Sequence, residues 1–456
     1  MESTGKIRNE SPYAIFALIL ALYLGADYFY VFRGLGLGQA GLTILILPGA
    51  FFLVLWPSSL PPFVFMVLLH IFQTVMIIPS GSNHLIMSFF LAVGLTIAYV
   101  HVAFREKKLV VEPAQYFDTF APLGRWLLII MYFYGTLHKV NTDFLNPLSS
   151  CAVAFWGRYG FPDLISESIM IHYMIIYGTL VLEIVAMILL LTRRFRWWGI
   201  VIGVSFHGFL GFIPGGSFFA FSTLAIMLHS LFLPKASLER FVSGPIWQFL
   251  APVIAFPLRR AALLLGLIVA IVLLPSALSW GLFLAAVLAF IATYAREYAE
   301  ADLNRARLLL SPSALVNVVA ILFFLNGASP YLGFKTGQTI SMFSNLITEG
   351  GRSNHLILPN LRLFDHQSRI ATVLKSDHPA LGLWSRKGYT MVEFQVLDYL
   401  ERAAGTSATF TVNGETFTHS PDNPLPAISR LPPRWYRNLV VFKPVVLESP
   451  RKCDNF

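Results

Sequence analysis

A lysine at the end of an apolar run is the first place in this chain where side chains could do chemistry. Residues 131–150 read MYFYGTLHKVNTDFLNPLSS, so His138 and Lys139 close the run and Asp143 follows four residues after the lysine. A buried lysine with a lowered pKa can act as a neutral base, and a neighbouring imidazole can carry a second proton. If the helix continues, the lysine could instead extend to the membrane interface and pair with Asp143. The spacing leaves both interpretations open.

Two further ionisable residues lie deep in apolar segments. Glu183 precedes Arg193 by ten residues, and His207 follows Arg196 by eleven. At a rise of about 1.5 Å per residue, both lie about 15 Å from the basic turn between their helices. We expect them to pair, because pairing lowers the cost of removing each from water. Interfacial anchoring is the expected role of the histidines near segment ends: His70, His84, His101, His172 and His229.

The composition indicates that these residues belong to a membrane protein. The chain is 56% hydrophobic and 12% charged, and the charged share is about half that of soluble proteins. Apolar runs near the length that spans a bilayer recur along it. We therefore predict an all-α polytopic membrane bundle of about 11 transmembrane helices. They are expected near residues 12–32, 41–57, 61–79, 85–104, 122–140, 169–192, 196–214, 217–234, 259–274, 276–294 and 312–327.

The distribution of basic residues predicts the orientation. Alternate loops on one side receive fifteen lysines and arginines and those on the other side receive three. Because cytoplasmic loops carry the basic excess, the N-terminus is expected in the cytoplasm of a multi-pass cell-membrane protein. The net charge of +9 is then a consequence of topology. The lipid bilayer is the expected partner, and no nucleic acid is needed to explain the charge.

An odd number of helices leaves the polar C-terminal tail outside the cytoplasm. We expect a transmembrane domain over residues 1–327 and a small α+β extracytoplasmic domain over residues 328–456. The stretch ATFTVNGETFTH alternates about Asn413-Gly414, which predicts a β-hairpin. The stretch YTMVEFQVLDYLERAA is typical of a strand that runs into a helix.

The two cysteines, Cys151 and Cys453, both fall on the predicted outer side. They could form a disulfide in an oxidising compartment, or remain two separate thiols. The chain has no CxxC pair and no HExxH motif, so no metal is expected from its sequence.

Three stretches resemble one family of membrane enzymes. GTLHKVNTDF resembles the region around the active-site lysine of the vitamin K-dependent gamma-glutamyl carboxylases. It is more similar still to their bacterial relatives, the horizontally transferred transmembrane domain (HTTM) family. LEIVAMILLLTRRFRWWGIVIGVSFHGFLG is similar to the family hairpin that carries Glu183 and His207. SPYLGFKTGQTISMFSNLITEGGRSNHLILP resembles the segment after the last span of bacterial members.

The resemblance implies a carboxylase (lyase-type) reaction. Lys139 would be the base that starts the oxygenation of reduced vitamin K or menaquinol, with O2 and CO2 as co-substrates. The acceptor would be a glutamate in an exported peptide or protein. His138 and His207 would orient the quinol or stabilise charge. His138 stands where the animal enzymes have a second lysine, so its role differs from theirs.

Neighbouring residues complete the expected site. We expect Tyr134, Glu183 and Phe144 to contact the quinone cofactor. We expect Asp143, Asn354 and His355 to contact the substrate, with Glu349 near the mouth of the cavity.

Two other functions remain open. Beyond about residue 360 the tail shows no resemblance to the propeptide-binding region of the animal enzymes. The same fold could therefore modify a different peptide or a lipid. Alternatively, intramembrane Glu and His side chains could belong to a non-catalytic proton-coupled transporter or a binding protein.

Overall fold

The fold is known from a computed structural model. It describes residues 2–35, 44–78, 81–159, 167–213, 218–234, 256–259, 261–263, 265–266, 274, 278, 280–285, 287, 309–403, 405–447, 450 and 453. Helices form most of this part of the chain, and a small antiparallel sheet lies in the C-terminal tail.

Helices follow one another along the apolar part of the sequence. The first five are α1 (Glu2–Leu35), α2 (Ile46–Leu55), α3 (Leu60–Ile77), α4 (Asn83–Glu106) and α5 (Pro113–Leu137). The next five in the described part are α6 (Cys151–Trp156), α7 (Ile169–Leu191), α8 (Arg196–Gly211), α9 (Phe219–Ser230) and α10 (Ala314–Leu332). α5 begins at Pro113, whose fixed backbone angle and missing N–H suit the first helical position.

Five of the described helices are long and apolar enough to cross a membrane: α3, α4, α5, α7 and α10. In α7 only 22% of the apolar stretch is buried, and Met170 and Met174 are 66% and 65% exposed. Exposing so much apolar surface to water is costly, whereas lipid accommodates it. The structure thus fits a helical membrane protein. The predicted segments near 259–274 and 276–294 lie largely outside the described residues, and the total of about eleven spans remains a prediction.

The chain forms two compact units. The first comprises residues 1–76, 84–133 and 181–323, and the second comprises residues 77–83, 134–180 and 324–456. The unit boundaries fall inside α5, α7 and α10 and at the facing ends of α3 and α4. The expected transmembrane and extracytoplasmic domains, divided at residue 327, remain a prediction.

Aromatic rings fill the core of the first unit. Tyr116 lies with its ring centroid 4.9 Å from that of Phe120 and 6.0 Å from that of Phe63. Its hydroxyl donates to the Leu95 carbonyl at 3.1 Å. α4 and α5 approach closely at Gly94, where an added Cβ would lie 1.8 Å from a methyl of Leu123. A side chain at position 94 would therefore require Leu123 to change its rotamer.

The sheet of the second unit has strand order β2-β1-β3-β4. Its strands are β1 (Ile370–Ser376), β2 (Met391–Val392), β3 (Ala408–Val412) and β4 (Glu415–His419). Val412 pairs with Glu415 across a turn in which Asn413 and Gly414 have φ of 53° and 86°. These positive angles are those of the two-residue turn predicted by Asn-Gly, so the hairpin prediction is confirmed.

Four short helices accompany this sheet: α11 (Pro379–Arg386), α12 (Glu393–Arg402), α13 (Pro426–Ser429) and α14 (Arg434–Leu439). α12 follows β2 directly, which confirms the predicted strand running into a helix. Leu381 of α11 and Val396 of α12 are fully buried with Phe410 of β3 in one apolar core. Alternate residues of β3 are buried, as expected for a strand with one face on a core.

A disulfide joins Cys151 to Cys453 within the second unit, across 302 residues of sequence. Cys151 is the first residue of α6 and is 2% exposed. The pairing that the sequence left open is therefore present in the structure. Structural disulfides persist in oxidising compartments, so the bond is compatible with an extracytoplasmic location of this unit.

Candidate functional site

Lys139 lies on a turn immediately after α5. The sequence predicts a helix over 122–140, but α5 ends at Leu137. The N–H of Lys139 donates to the Thr136 carbonyl at 3.0 Å. This bond spans three residues, whereas an α-helical bond spans four. The helix does not continue towards Asp143, so the pairing of Lys139 and Asp143 on successive helical turns does not apply.

The side chain of Asn141 holds this turn in place. It is fully buried, and its Nδ2 donates to the carbonyls of His138 at 2.7 Å and Ser344 at 2.6 Å. Its Oδ1 accepts from the N–H groups of Asp143 at 3.1 Å and Phe144 at 2.9 Å. One amide thus satisfies four backbone groups and stops the helix with a local alternative to helical bonds.

A second segment pairs with the turn through backbone hydrogen bonds. The N–H of Thr142 donates to the Asn354 carbonyl, and the N–H of Leu356 donates to the Val140 carbonyl, both at 3.0 Å. Asn141 and His355 form an isolated antiparallel bridge between them. The turn that carries Lys139 is therefore held both by the side chain of Asn141 and by backbone hydrogen bonds to residues 354–356.

His355 caps the carboxyl end of α5. Its Nε2 donates to the Leu137 carbonyl at 2.9 Å, and its Nδ1 accepts from the N–H groups of Ile357 at 3.1 Å and Leu358 at 2.8 Å. Two donors on Nδ1 assign the ring proton to Nε2, so the imidazole is neutral. Burial lowers the pKa of His355, in agreement with that assignment.

Asn354 connects the carboxylate of Asp143 to the same scaffold. Its Nδ2 donates to Asp143 Oδ2 at 3.1 Å and to the Asn345 carbonyl at 2.8 Å. Its Oδ1 accepts from the N–H of Ile347 at 2.8 Å. The three residues expected to contact substrate, Asp143, Asn354 and His355, therefore lie together, and the bonds described here join them to one another or to the backbone.

His138 is fully buried beside the turn. Its Nε2 donates to the Gly327 carbonyl at 3.1 Å, and its ring lies 5.2 Å from that of Tyr134 and 5.4 Å from that of Tyr331. Its Nδ1 has no hydrogen-bond partner among the described residues. Gly327 is needed here, because an added Cβ would lie 2.2 Å from the Tyr134 ring. Burial lowers the pKa of His138 to about 3, so the imidazole is neutral and its Nδ1 can accept a hydrogen bond.

The lysine side chain is half-buried. Its Nζ lies 5.8 Å from the ring centroid of Phe144, a contact in the range of cation–π interactions when the amine is charged. Phe144 and Tyr134 are 1% and 3% exposed. Of the predicted aromatic residues, Phe144 is thus a buried ring beside Lys139, and Tyr134 is a buried ring beside His138.

A second lysine of this unit was missed by the sequence analysis. Lys335 is 7% exposed, and burial lowers its pKa to about 8. It follows α10 in GFKTGQ, a polar stretch in which no helical pattern marks a position as buried. Because a lysine with a pKa of about 8 is partly neutral near neutral pH, Lys335 is a rival candidate for a basic amine.

The other predicted residues, Glu183 and His207, belong to the first unit. There His229 Nδ1 donates to the Ala225 carbonyl at 2.7 Å, so the proton of the neutral ring is on Nδ1. His229 Nε2 therefore accepts from the Tyr132 hydroxyl at 3.1 Å. The His207 ring centroid lies 5.8 Å from those of both Tyr132 and His229. We call Tyr132, Glu183, His207 and His229 the first-unit polar cluster.

Glu183 belongs to this cluster through Tyr132. Glu183 is 7% exposed and interacts electrostatically with the Tyr132 hydroxyl. α8 approaches at Gly203, where an added Cβ would lie 1.9 Å from His229 Nε2 and 2.7 Å from the Tyr132 hydroxyl. The direct pairing of Glu183 with His207 remains a prediction.

Two histidines expected as interfacial anchors are core residues instead. His229 is fully buried in the first-unit polar cluster. His70 is 2% exposed and is hydrogen-bonded to the Tyr28 hydroxyl at 3.0 Å and to Ser88 Oγ at 2.9 Å. That interpretation of the two residues is wrong, because position near the end of an apolar run does not reveal a polar partner on another helix.

The two groups of residues suit different chemistry. The Lys139 turn presents a half-buried amine beside the Phe144 ring, and an amine in its neutral form can abstract a proton. The first-unit polar cluster is a set of neighbouring proton carriers. No protein-family model, no curated protein and no solved structure matches the chain.

Proposed function

We propose that this chain is an integral membrane enzyme that uses Lys139 as a base on a reduced quinone and modifies glutamate in an exported peptide or protein. The observation that supports it best is the immobilised turn. Asn141 and His355 fix the backbone on either side of Lys139, whose half-buried amine lies beside Phe144. A catalytic base needs this preorganisation, because a displacement of about 1 Å can cost 10²-fold in rate.

The surroundings of the turn fit an aromatic ligand with hydroxyl groups. Tyr134 and Phe144 offer apolar ring surfaces, and His138 Nδ1 is a buried acceptor without a partner in the described residues. A quinol hydroxyl could donate to such an acceptor. The bound quinol, with O2, would supply the strong base that removes the γ-proton of glutamate before CO2 adds.

The residues of the chain have separate roles in this proposal. Lys139 accepts the proton of a quinol hydroxyl. His138 accepts a hydrogen bond from the second quinol hydroxyl through Nδ1 and so orients the quinol. Asn141, Asn354 and His355 are positioning residues, because their hydrogen bonds run to the backbone of the turn and to Asp143.

The resemblance of GTLHKVNTDF to the carboxylase and HTTM families supports the same choice of base. The Cys151–Cys453 disulfide supports an outward location, since it lies in the unit that contains Lys139. By the positive-inside rule, that unit is exposed to exported substrates.

The first-unit polar cluster favours a second function, proton-coupled transport. Buried Glu, His and Tyr side chains in apolar helices commonly relay protons. The Tyr132–His229 hydrogen bond and the neighbouring His207 ring form such a chain of groups. A transporter would move protons without consuming O2 or forming an oxidised quinone.

The test uses purified chain in lipid nanodiscs with reduced vitamin K or menaquinol, O2, labelled bicarbonate and a glutamate peptide. Quinone epoxide is followed by mass spectrometry, and label in the peptide reports carboxylation. We expect wild type to form epoxide and Lys139→Ala to lose at least about 10²-fold of the rate. Lys375→Ala, at an exposed position of β1, is the matched control and should retain the activity.

Lys335→Ala separates the two candidate bases. Loss of epoxide in this variant, with activity intact in Lys139→Ala, would transfer the role of base to Lys335. Absence of epoxide from folded wild type with every quinol would count against the carboxylase reaction. Proton uptake into liposomes that depends on Glu183 would then favour transport.

A further inference from the structure

A buried group of oxygen atoms lies in the second unit, at the end of the stretch 329–359 that resembles the family and just beyond it. Thr348, Glu349, Asn360 and Gln367 are joined by hydrogen bonds and form what we call the Glu349 cluster. Asn360 Nδ2 donates to the Thr348 carbonyl at 2.9 Å, and Gln367 Nε2 donates to Asn360 Oδ1 at 3.3 Å. The N–H of Gly350 donates to the Gln367 carbonyl at 2.8 Å. These bonds bring the four residues within a few ångströms of one another.

Glu349 is fully buried in this cluster. One carboxylate oxygen, Oε2, accepts from the N–H of Thr348 at 2.9 Å. The other, Oε1, has no hydrogen-bond partner among the described residues. No lysine, arginine or histidine in the described part forms an ion pair with it. A buried carboxylate without a counter-charge is costly.

Two more oxygens of the cluster lack partners in the described residues. They are Gln367 Oε1 and Thr348 Oγ1, on side chains 2% and 1% exposed. A carboxylate oxygen and an amide oxygen only accept hydrogen bonds. The shortage in this cluster is therefore one of positive charge and donors.

The backbone of the cluster bends around Glu349. Gly350 and Gly351 have φ of 67° and 72°, angles that glycine adopts without strain. The guanidinium of Arg362 donates to the Gly351 carbonyl and is exposed. This guanidinium is thus engaged with the backbone, and none of the ion pairs in the described part involves Glu349.

We propose that the Glu349 cluster is a binding site for a hard cation of the Ca2+ class. Carboxylate, amide and hydroxyl oxygens are the ligands that Ca2+ prefers, and backbone carbonyls or water complete its coordination. Extracellular Ca2+ modules commonly bind with Kd of about 0.1–1 mM, which suits the oxidising side indicated by the disulfide. Motif searches for Cys and His ligands do not find such a site, which explains why the sequence predicted no metal.

The site is structural in this proposal. The 348–367 loop that carries it also contains Asn354 and His355, which clamp the Lys139 turn. A bound cation would fix the 348–367 loop without touching a reacting atom. The inference is independent of the proposed enzymatic function.

The test uses full-length chain in nanodiscs after treatment with a chelator. Binding of radioactive Ca2+ is measured by equilibrium dialysis, and the apparent Tm is measured with and without about 5 mM CaCl2. We expect one Ca2+ per chain and an apparent Tm that rises by about 2–4 °C. Mg2+ should bind more weakly, because it requires a smaller octahedral site.

Three variants make the test specific. Thr348→Val removes only a hydroxyl and keeps the side-chain shape, so it should fold and bind Ca2+ about tenfold more weakly. Glu349→Gln should abolish the Ca2+-dependent rise in Tm. Glu415→Gln, at an exposed position, is the matched control and should bind as wild type does.

Two results would overturn the proposal. One is the absence of Ca2+ binding to wild type, or equal binding by wild type and Thr348→Val. The other is a Glu349→Gln variant as stable as wild type at every Ca2+ concentration. That outcome would mean that Glu349 is a neutral acid that donates to a cluster oxygen such as Gln367 Oε1.

Discussion

At the scale of single residues, the Lys139 turn depends on side chains that are not themselves reactive. Asn141 uses both ends of its amide on the backbone, and His355 uses both ring nitrogens. Neither residue has a spare group for a substrate. Their role is to hold the chain where a helix would otherwise continue, so that the amine of Lys139 has a defined position.

Asn141→Ala should destabilise the chain more than any exposed asparagine does. The change leaves two carbonyls and two N–H groups without their partner in a buried site, at about 1–3 kcal/mol for each that stays unsatisfied. Water entry reduces the total, so we expect a loss of about 2–5 kcal/mol. Denaturant titration in detergent measures it, with Asn423→Ala at an exposed position as the control. Equal stability of the two variants would contradict the role assigned to Asn141.

The contribution of His355 should depend on pH. Its pKa in the folded state lies below the ordinary 6.5, so the unfolded state binds more protons as the pH falls through that value. The stabilisation is thus complete above about pH 6.5 and is lost progressively below it. A proton on Nδ1 would also point at the N–H groups of Ile357 and Leu358, so Nδ1 could no longer accept their hydrogen bonds.

Hydrogen exchange of the 354–358 peptide tests this dependence. Protection in wild type should fall between pH 7.5 and pH 5.5, after correction for the intrinsic exchange rate. In His355→Gln the protection should already be low at pH 7.5 and change little. A parallel pH profile in both proteins would exclude His355 as the titrating group.

At the scale of elements, the tail is held by ion pairs of two kinds. Arg437 of α14 is 4% exposed and donates to Asp398 Oδ1 at 2.6 Å and to Glu401 Oε2 at 2.8 Å, both on α12. Arg369 pairs with Glu393 at the surface, and its side chain is 55% exposed. Asp398 also accepts from Arg402 Nε at 2.7 Å, so removal of Arg437 leaves this buried carboxylate with one cation instead of two.

Arg437→Met should therefore cost about 1–3 kcal/mol, because two hydrogen bonds to acidic partners are lost while Asp398 keeps Arg402, whereas Arg369→Met should cost about 0–1 kcal/mol. The two substitutions remove the same charge and a similar side-chain volume, so they form a matched pair for denaturant titration. The hydrogen bond from Arg437 lowers the pKa of Glu401 below its ordinary 4.5. That part of the stabilisation is present above pH 4.5 and is lost as the pH falls below it.

At the scale of the whole molecule, one covalent bond closes the second unit. The Cys151–Cys453 disulfide joins α6 to the C-terminus across 302 residues. A bond that closes so long a loop restricts the unfolded chain strongly, and native disulfides commonly contribute about 2–5 kcal/mol. It also fixes the C-terminal end beside the segment that follows the Lys139 turn.

Cys151→Ser and Cys453→Ser should each lower the free energy of unfolding by about 2–5 kcal/mol. The double variant should lose no more stability than either single variant, because both remove the same bond. The apparent Tm under non-reducing conditions measures the effect, and dithiothreitol should bring wild type to the level of the variants. Additive losses would indicate that the two thiols are separate in the folded protein.

The sequence alone determined the features that rest on local pattern. The shortage of charge indicated a membrane protein, and Asn413-Gly414 specified a hairpin, because a two-residue turn depends only on adjacent backbone angles. Apolar runs located most helices, since burial in lipid requires little more than length and hydrophobicity. The last residues of α5 were harder, because Asn141 ends the helix with the help of Ser344, more than 200 residues away.

Only the tertiary structure decided which polar groups meet. His229 acquires its role from Tyr132 on another helix, and Asn141 from carbonyls of two segments. The unpaired oxygens of the Glu349 cluster likewise have no signature in the sequence, because burial of a carboxylate follows from everything packed around it. The sequence specifies which side chains are present. Whether they form a site depends on their partners, the local dielectric and the nearby charges, and these follow from distances between remote parts of the chain.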